Sequence, residues 1–237
     1  MQEITFKDQS FVMTDCREYD LYIQAGLDGL SFLIHHPVTR AILWVQFCPF
    51  NYPGYQLLFR KIRDIISGDE ILKQPFAKIS ILFTDRHFTL VPEAFFSDKL
   101  LRHLLPVKHK YGEEPETIVV PVQQMSAFLA FTVEKELYDY LTETFPGAVI
   151  SHEVNPLIQN LTSGETPVLN FHLHSSWFVA MATGEKGVNF LNTYEYSNEA
   201  DMIYFMLSVT KLPELTSLPV RISGRTGSND SLFSFIK

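Results

Sequence analysis

The sequence predicts an α/β protein in which one plan, three tightly joined strands and then a helix, is used twice. Three observations carry that reading. Near the N-terminus, "LYIQAGL", "LSFLIHH" and "AILWVQFCPF" are short runs rich in β-branched and aromatic residues. They are separated only by Asp28-Gly29 and by Pro37-Val38-Thr39-Arg40, and connections that tight join antiparallel neighbours. Apolar residues then recur at helical spacing, at Tyr55, Leu58, Phe59, Ile62, Ile65 and Ile66. Finally, a shift of 147 residues lays Asn51 on Asn198, Tyr55 on Met202, Leu58 on Phe205, Phe59 on Met206 and Ile62 on Val209. The match is one of pattern rather than identity, and it implies a duplicated architecture.

Each element follows in order. Asn51 is a helix cap after the first meander, and Ser67-Gly68 ends that helix. "KISILFTD" and "HFTLVP" read as strands, and "SDKLLRHLLP" as a short helix capped by Ser97, with Pro106 beyond its end. "TIVVPVQQMSAFLAFTV" reads as further strand broken near Pro121, and "EKELYDYLTETF" as a helix stopped by Pro146-Gly147. "GAVISHEV" is a strand, followed by a helix with Asn155 as cap and Pro156 at its first position. The second meander is "PVLNFHLH", "SWFVAMATG" and "GVNFLNTYEYS", with "NEADMIYFMLSVTKL" as its helix. The C-terminal segment offers a strand over Val220 to Ser223, a Gly-containing turn, and a short helix capped by Ser228 or Asn229.

The composition narrows the function classes. With 237 residues, 46% hydrophobic and 19% charged, the chain can bury a substantial core. A net charge of −8 argues against a nucleic-acid binder, which draws on surplus Lys and Arg. The basic cluster from Lys99 to Lys110 is followed at once by Glu113, Glu114 and Glu116. Cys16 and Cys48 form no C-x-x-C pair, so neither a zinc site nor a disulfide framework is expected. The N-terminus lacks the apolar core of a secretion signal, and no run approaches the roughly 18 apolar residues of a membrane span. A cytoplasmic protein without membrane insertion is the expectation.

The repeated β-β-β-α unit, closed by a strand, a glycine turn and a helix, resembles the ground plan of the actin-like ATPase fold, which is ribonuclease H-like in each lobe. Sugar kinases and the large heat-shock chaperones share that fold. "HFTLVP" after a strand and the two meanders are also similar to an uncharacterised bacterial family of about this length. More distant bacterial relatives are cytoplasmic assembly proteins of type IV pili and type II secretion. The resemblance implies two lobes, expected at residues 1–150 and 151–237, with the second compact or incomplete. It also implies a place for nucleotide. Members that bind ATP wrap its phosphates with the first turn of each meander, usually Asp-x-Gly, and pack the adenosine against a late Gly-Gly turn.

Laid on that plan, the nucleotide loops are degenerate. They fall on Gly26, Asp28 and Gly29 in the first turn, on Ser175 and Ser176 in the second, and on Gly224, Arg225 and Gly227 in the third. Phosphate binding needs a glycine backbone that approaches closely and a carboxylate for Mg²⁺. Gln24 stands where the first carboxylate belongs, and Asp28 lies late, at the tip, where Asp-Gly is also an ordinary hairpin signal. His172 and His174 replace the second Asp and Gly, with Trp177 where small residues are usual. The third loop keeps Gly224 but follows it with Arg225.

No hydrolase, metalloprotease, P-loop or dinucleotide motif is present. His172 and His174 share a strand face and could join His152 around a metal, but without Cys or acidic residues at ligand spacing no metal is expected. Asp85-Arg86-His87 and Ser151-His152-Glu153 are adjacent residues whose side chains diverge, so neither is a ready catalytic set. The expectation is a non-catalytic scaffold or interaction protein with an unidentified protein partner and no cofactor. The alternatives are a divergent ATP-binding enzyme or switch using Asp28, Gly224 and Arg225, with Mg-ATP as its ligand, and a small-molecule or metal-binding cleft protein built around His172 and His174.

Overall fold

A computed structural model describes residues 4–26, 28–50, 55–105, 115–123, 125–162, 166–184 and 187–225. The chain divides into two units, Met1–Val122 with Ser126–Asn155, and Gln123–Met125 with Pro156–Lys237.

Unit 1 opens with β1 (Ile4–Lys7), a strand the sequence pattern does not announce. Its four residues are all exposed, so it carries no buried–exposed alternation. The predicted meander follows as β2 (Asp20–Gly26), β3 (Gly29–His35) and β4 (Ile42–Pro49). Leu21, Ile23 and Ala25 of β2 and Leu30, Phe32 and Ile34 of β3 are buried, while the residues between them are mostly half-exposed. The period of two thus places one face of this sheet on the core. Helix α1 (Tyr55–Gly68) buries Tyr55, Leu58, Ile62 and Ile66, the stripe expected of a helix with one covered face. The Asn51 cap lies outside the described residues. Strand β5 (Lys78–Thr84) then pairs parallel to β2.

A three-stranded excursion interrupts the sheet: β6 (Phe88–Pro92), α2 (Asp98–Leu104), β7 (Glu116–Val122) and β8 (Ala127–Val133), in the order β6-β8-β7. The hydroxyl of Ser97 caps α2 by accepting from the Leu100 amide at 3.2 Å. The run read as one strand broken near Pro121 is instead a hairpin. Pro121 sits inside β7 opposite Phe128. It is tolerated because β7 is an edge strand, where a missing N–H need not break a ladder. Helix α3 (Lys135–Thr144) and β9 (Val149–His152) complete the unit. The main sheet runs β1-β4-β3-β2-β5-β9, with β9 parallel to β5.

Helix α4 (Val154–Thr162) starts before Asn155, so Asn155 is not its cap and Pro156 is its third residue. A proline is still accommodated there, because the first four helical amides have no intrahelical acceptor. Unit 2 repeats the plan: β10 (Leu169–Leu173), β11 (Trp177–Gly184), β12 (Gly187–Glu195), α5 (Glu199–Thr210) and β13 (Val220–Gly224). Its sheet order, β12-β11-β10-β13 with β13 parallel to β10, matches β4-β3-β2-β5 strand for strand. Asn198 caps α5 from its side-chain oxygen, accepting from the Asp201 amide at 3.0 Å. Met202, Met206 and Val209 of that helix pack on Leu169, Phe171, Phe178, Ala180 and Ala182. The proposed cap of the C-terminal helix, Ser228 or Asn229, lies outside the described residues. Among the described residues, no helix is long and apolar enough to cross a membrane.

Candidate functional site

In unit 1 the first turn is a tight hairpin. Gly26 pairs with Gly29, leaving only positions 27 and 28 between them, and the carbonyl of Asp28 accepts from the Phe50 amide at 3.1 Å. Both glycines are explained by their own neighbours. A Cβ on Gly26 would lie 2.7 Å from the Thr84 carbonyl oxygen, and one on Gly29 would lie 2.6 Å from that of Cys48. The glycines allow the flanking strands to close up, a role that requires no ligand. The space bounded by Gly26, Thr84, Asp85, Thr132 and Glu134 is small, about 30 Å³.

Beside this hairpin lies a polar cluster that local sequence does not reveal. The amide nitrogen of Gln24 donates to Thr84 Oγ1 at 3.0 Å and to Glu153 Oε2 at 2.9 Å. Thr84 Oγ1 also donates to that carboxylate oxygen, at 3.3 Å. Glu153 is buried, and it places a carboxylate beside Gln24, which stands where the expected plan has one. The residues stand on the ends of β2 and β5 and just after β9, which the parallel pairings bring together. His152, fully buried, is structural. Its Nε2 donates to the Asp85 carbonyl at 2.8 Å, its Nδ1 accepts from the Val154 amide at 3.2 Å, and its ring packs on Phe88 and Phe131. These contacts hold the ring in place. Asp85 is drawn into a turn, accepting from the His87 amide at 2.7 Å and meeting His87 Nδ1 at 2.6 Å.

Unit 2 builds the same hairpin with different closing residues. His174 N donates to the Trp177 carbonyl at 2.9 Å, so Ser175 and Ser176 form the two-residue turn. His174 and Trp177 stand 148 positions after Gly26 and Gly29. Where unit 1 closes on two bare backbones, unit 2 closes on two stacked rings, 3.9 Å between centroids and 7° between planes. The carbonyl of Ser176 accepts from the Tyr196 amide at 2.8 Å, and Ser175 Oγ accepts from the Arg225 guanidinium at 3.1 Å. Gly224 adopts φ +84°, and a Cβ there would fall 2.4 Å from the Leu173 carbonyl oxygen. This glycine too is required by strand geometry. Gly227 lies outside the described residues. On the same sheet, His172 Nδ1 is 2.9 Å from Ser223 Oγ, which the Asn170 amide also contacts.

The half-exposed face of the unit 1 sheet carries an open concavity of about 600 Å³. Tyr22, Leu33, Ile42, Val45 and Leu82 give it an apolar floor, with Gln24 and Ser31 at one end and His35 at the other. Burial and the neighbouring Asp20 push the Tyr22 hydroxyl above the usual phenol range, so it remains a neutral donor. Nδ1 of His35 is buried without a hydrogen-bond partner among the described residues.

Residues 8–237 match the family described as protein of unknown function DUF3822. The chain belongs to that family. Among solved structures, the chain is similar to a Bacteroides thetaiotaomicron protein described as having an actin-like ATPase fold and unknown function. That likeness has 19% identity, covers 95% of this chain and 91% of the other, and has a TM-score of 0.80. The DUF3822 chain therefore has an actin-like ATPase fold. More distant likenesses are to a PilM-PilN type IV pilus biogenesis complex (11% identity, 84% and 68% coverage, TM-score 0.47) and to the Aquifex aeolicus Ppx/GppA phosphatase (7% identity, 81% and 62% coverage, TM-score 0.42). None of the curated proteins searched matches the chain.

Proposed function

We propose that this protein is a non-catalytic, cytoplasmic interaction module that keeps the actin-like frame without nucleotide turnover. The observation that carries the reading is that the expected phosphate loops are engaged by the protein itself. Gln24 spends its amide hydrogens on Thr84 and Glu153, Arg225 is held by Ser175, and Gly26, Gly29 and Gly224 are needed for strand contact. The small space at Gly26, about 30 Å³, supports the same reading. The partner surface in this proposal is the apolar concavity around Leu33 and Val45, whose size suits side chains of a docked protein segment.

A second reading rests on Glu153. A buried carboxylate beside Gln24 and Thr84 is a group that a divergent nucleotide site would use to hold Mg²⁺ through water. Isothermal titration with Mg-ATP and Mg-ADP at millimolar concentration separates the two. The interaction module gives no saturable heat. Micromolar binding that Glu153→Gln abolishes would replace it with the nucleotide reading. For the first reading, a partner recovered by the native chain is lost with Leu33→Asp or Val45→Asp while the melting temperature stays within a few degrees.

A further inference from the structure

Two histidines at the end of β10 carry an inference that is independent of nucleotide. His172 lies on β10, and His174 stands just past its end, where its amide closes the turn on the Trp177 carbonyl at 2.9 Å. Their ring centroids are 5.1 Å apart and their ligand nitrogens lie within 4.8 Å of each other. Two imidazole nitrogens around a zinc ion each sit about 2.0–2.1 Å from the metal, so a modest ring rotation brings both onto one ion.

Both rings are already held. His174 is 4% exposed and lies flat on Trp177. His172 is oriented from behind: its Nδ1 lies 2.9 Å from Ser223 Oγ, and Ser223 Oγ lies 3.2 Å from Oδ1 of the fully buried Asn170. Read in one direction, His172 Nδ1–H donates to Ser223, and the Ser223 hydroxyl donates to the Asn170 carbonyl oxygen. The lone pair of the His172 ring is then on Nε2. The opposite direction, with Asn170 Nδ2 donating to Ser223 at 3.1 Å, uses the same heavy atoms. Switching between them requires only a hydroxyl rotation and a tautomer change, so the order that leaves the Nε2 lone pair for a metal is reached without breaking the network. This is the usual support of a ligating histidine, whose second nitrogen is fixed by a hydrogen-bonding partner.

We propose that His172 and His174 form a two-imidazole site for a divalent transition metal, with Ser223 and Asn170 as positioning residues behind His172. Imidazole donors suit zinc, nickel and copper(II) and not magnesium or calcium. Two protein ligands leave the site open, so its affinity is expected to be well below that of a closed four-ligand structural site. The absence of acidic residues close in sequence, which argued against a metal, concerns the ligand count and not the geometry of these two rings.

Equilibrium dialysis of the full, untagged chain against zinc chloride tests this, with magnesium chloride as the control. The expected result is one zinc per chain, no magnesium, and at least tenfold weaker zinc binding in His172→Gln and in His174→Ala. Ser223→Ala is expected to weaken zinc by about 10–100-fold, the range typical of lost outer-shell partners, without changing the metal-free melting temperature by more than a few degrees. Cobalt(II) substitution gives a direct readout, a visible ligand-field band that His172→Gln shifts or removes. His172 is half-exposed, so His172→Gln remains decisive should His174→Ala fail to fold. Zinc retained at less than a tenth of stoichiometry, or zinc and cobalt binding unchanged in His172→Gln, would overturn the proposal.

Discussion

The imidazole of His174 lies parallel to the indole of Trp177, 3.9 Å between ring centroids, and the pair closes the hairpin that Gly26 and Gly29 close in the other unit. Stacked aromatic pairs contribute about 0.5–1.5 kcal/mol beyond their buried area. A double-mutant cycle with His174→Ala and Trp177→Ala, read by urea unfolding, is expected to show a coupling of that size. Trp177→Ala alone is expected to cost about 3–5 kcal/mol, as for other buried aromatic truncations. A coupling near zero would mean that the two rings are merely adjacent.

The glycines give a second test. Gly26→Ala places a methyl group 2.7 Å from the Thr84 carbonyl, and Gly224→Ala places one 2.4 Å from that of Leu173 at a φ of +84°. Both variants are expected to lose stability, Gly224→Ala more, because it adds backbone strain of about 1–3 kcal/mol to the clash. Gly147→Ala shares a positive φ, +78°, but meets no atom within 4 Å. It separates strain from crowding, and its melting temperature should fall between those of Gly224→Ala and the native chain.

Gln24 offers a pH-dependent outcome. Gln24→Glu sets a second carboxylate against buried Glu153 and removes a hydrogen bond to a charged acceptor, itself about 1.5–3 kcal/mol. Two facing carboxylates hold a proton more tightly than free ones. The folded variant then retains a proton that its unfolded chain releases, so its stability falls as pH rises through and above the usual carboxylate range. Its melting-temperature deficit against the native chain is expected to be small near about pH 4 and large near about pH 7. An equal deficit at both values would show that Glu153 does not sense the substitution.

The two cysteines should react unequally. Cys16 is 1% exposed, and burial, helped by neighbouring Asp15, pushes its thiol above the usual range. Cys48 is half-buried in β4. Iodoacetamide in native buffer is expected to modify Cys48 first and Cys16 only slowly, because the thiolate is the nucleophile. Mass spectrometry should find both modified in denaturant. Since folding keeps the Cys16 proton on, its contribution to stability declines as pH rises through the ordinary thiol range.

The meanders and most helices were legible because their signals are local: alternation in β2 and β3, a 3.6-residue stripe in α1, and side-chain caps at Ser97 and Asn198. β1 is not announced in the sequence because an exposed edge strand leaves no burial pattern. Pro121 reads as a break because sequence does not say which strand will be an edge. The polar cluster of unit 1 was hidden for a different reason. Gln24 and Glu153 are 129 residues apart, and only the parallel order of β2, β5 and β9 joins them. That Gln24 stands where the resemblance expects a carboxylate is readable in sequence, and the proximity of Glu153 in space is not.

The parallel seams also order events in time. Each meander is a set of neighbours in sequence and can form as soon as its strands exist. The seams cannot: Gln24 and Thr84 lie 60 residues apart, Thr84 and Glu153 lie 69 apart, and Asn170 and Ser223 lie 53 apart. Closing such loops is entropically unfavourable before any contact repays it, which makes non-local pairing slow. Both polar clusters sit on these seams. On a growing chain the Gln24 cluster has no carboxylate until Glu153 has been synthesised, and His172 has no hydroxyl behind it until Ser223 follows. Their chemistry is thus a property of the finished protein, withheld from every partly made one.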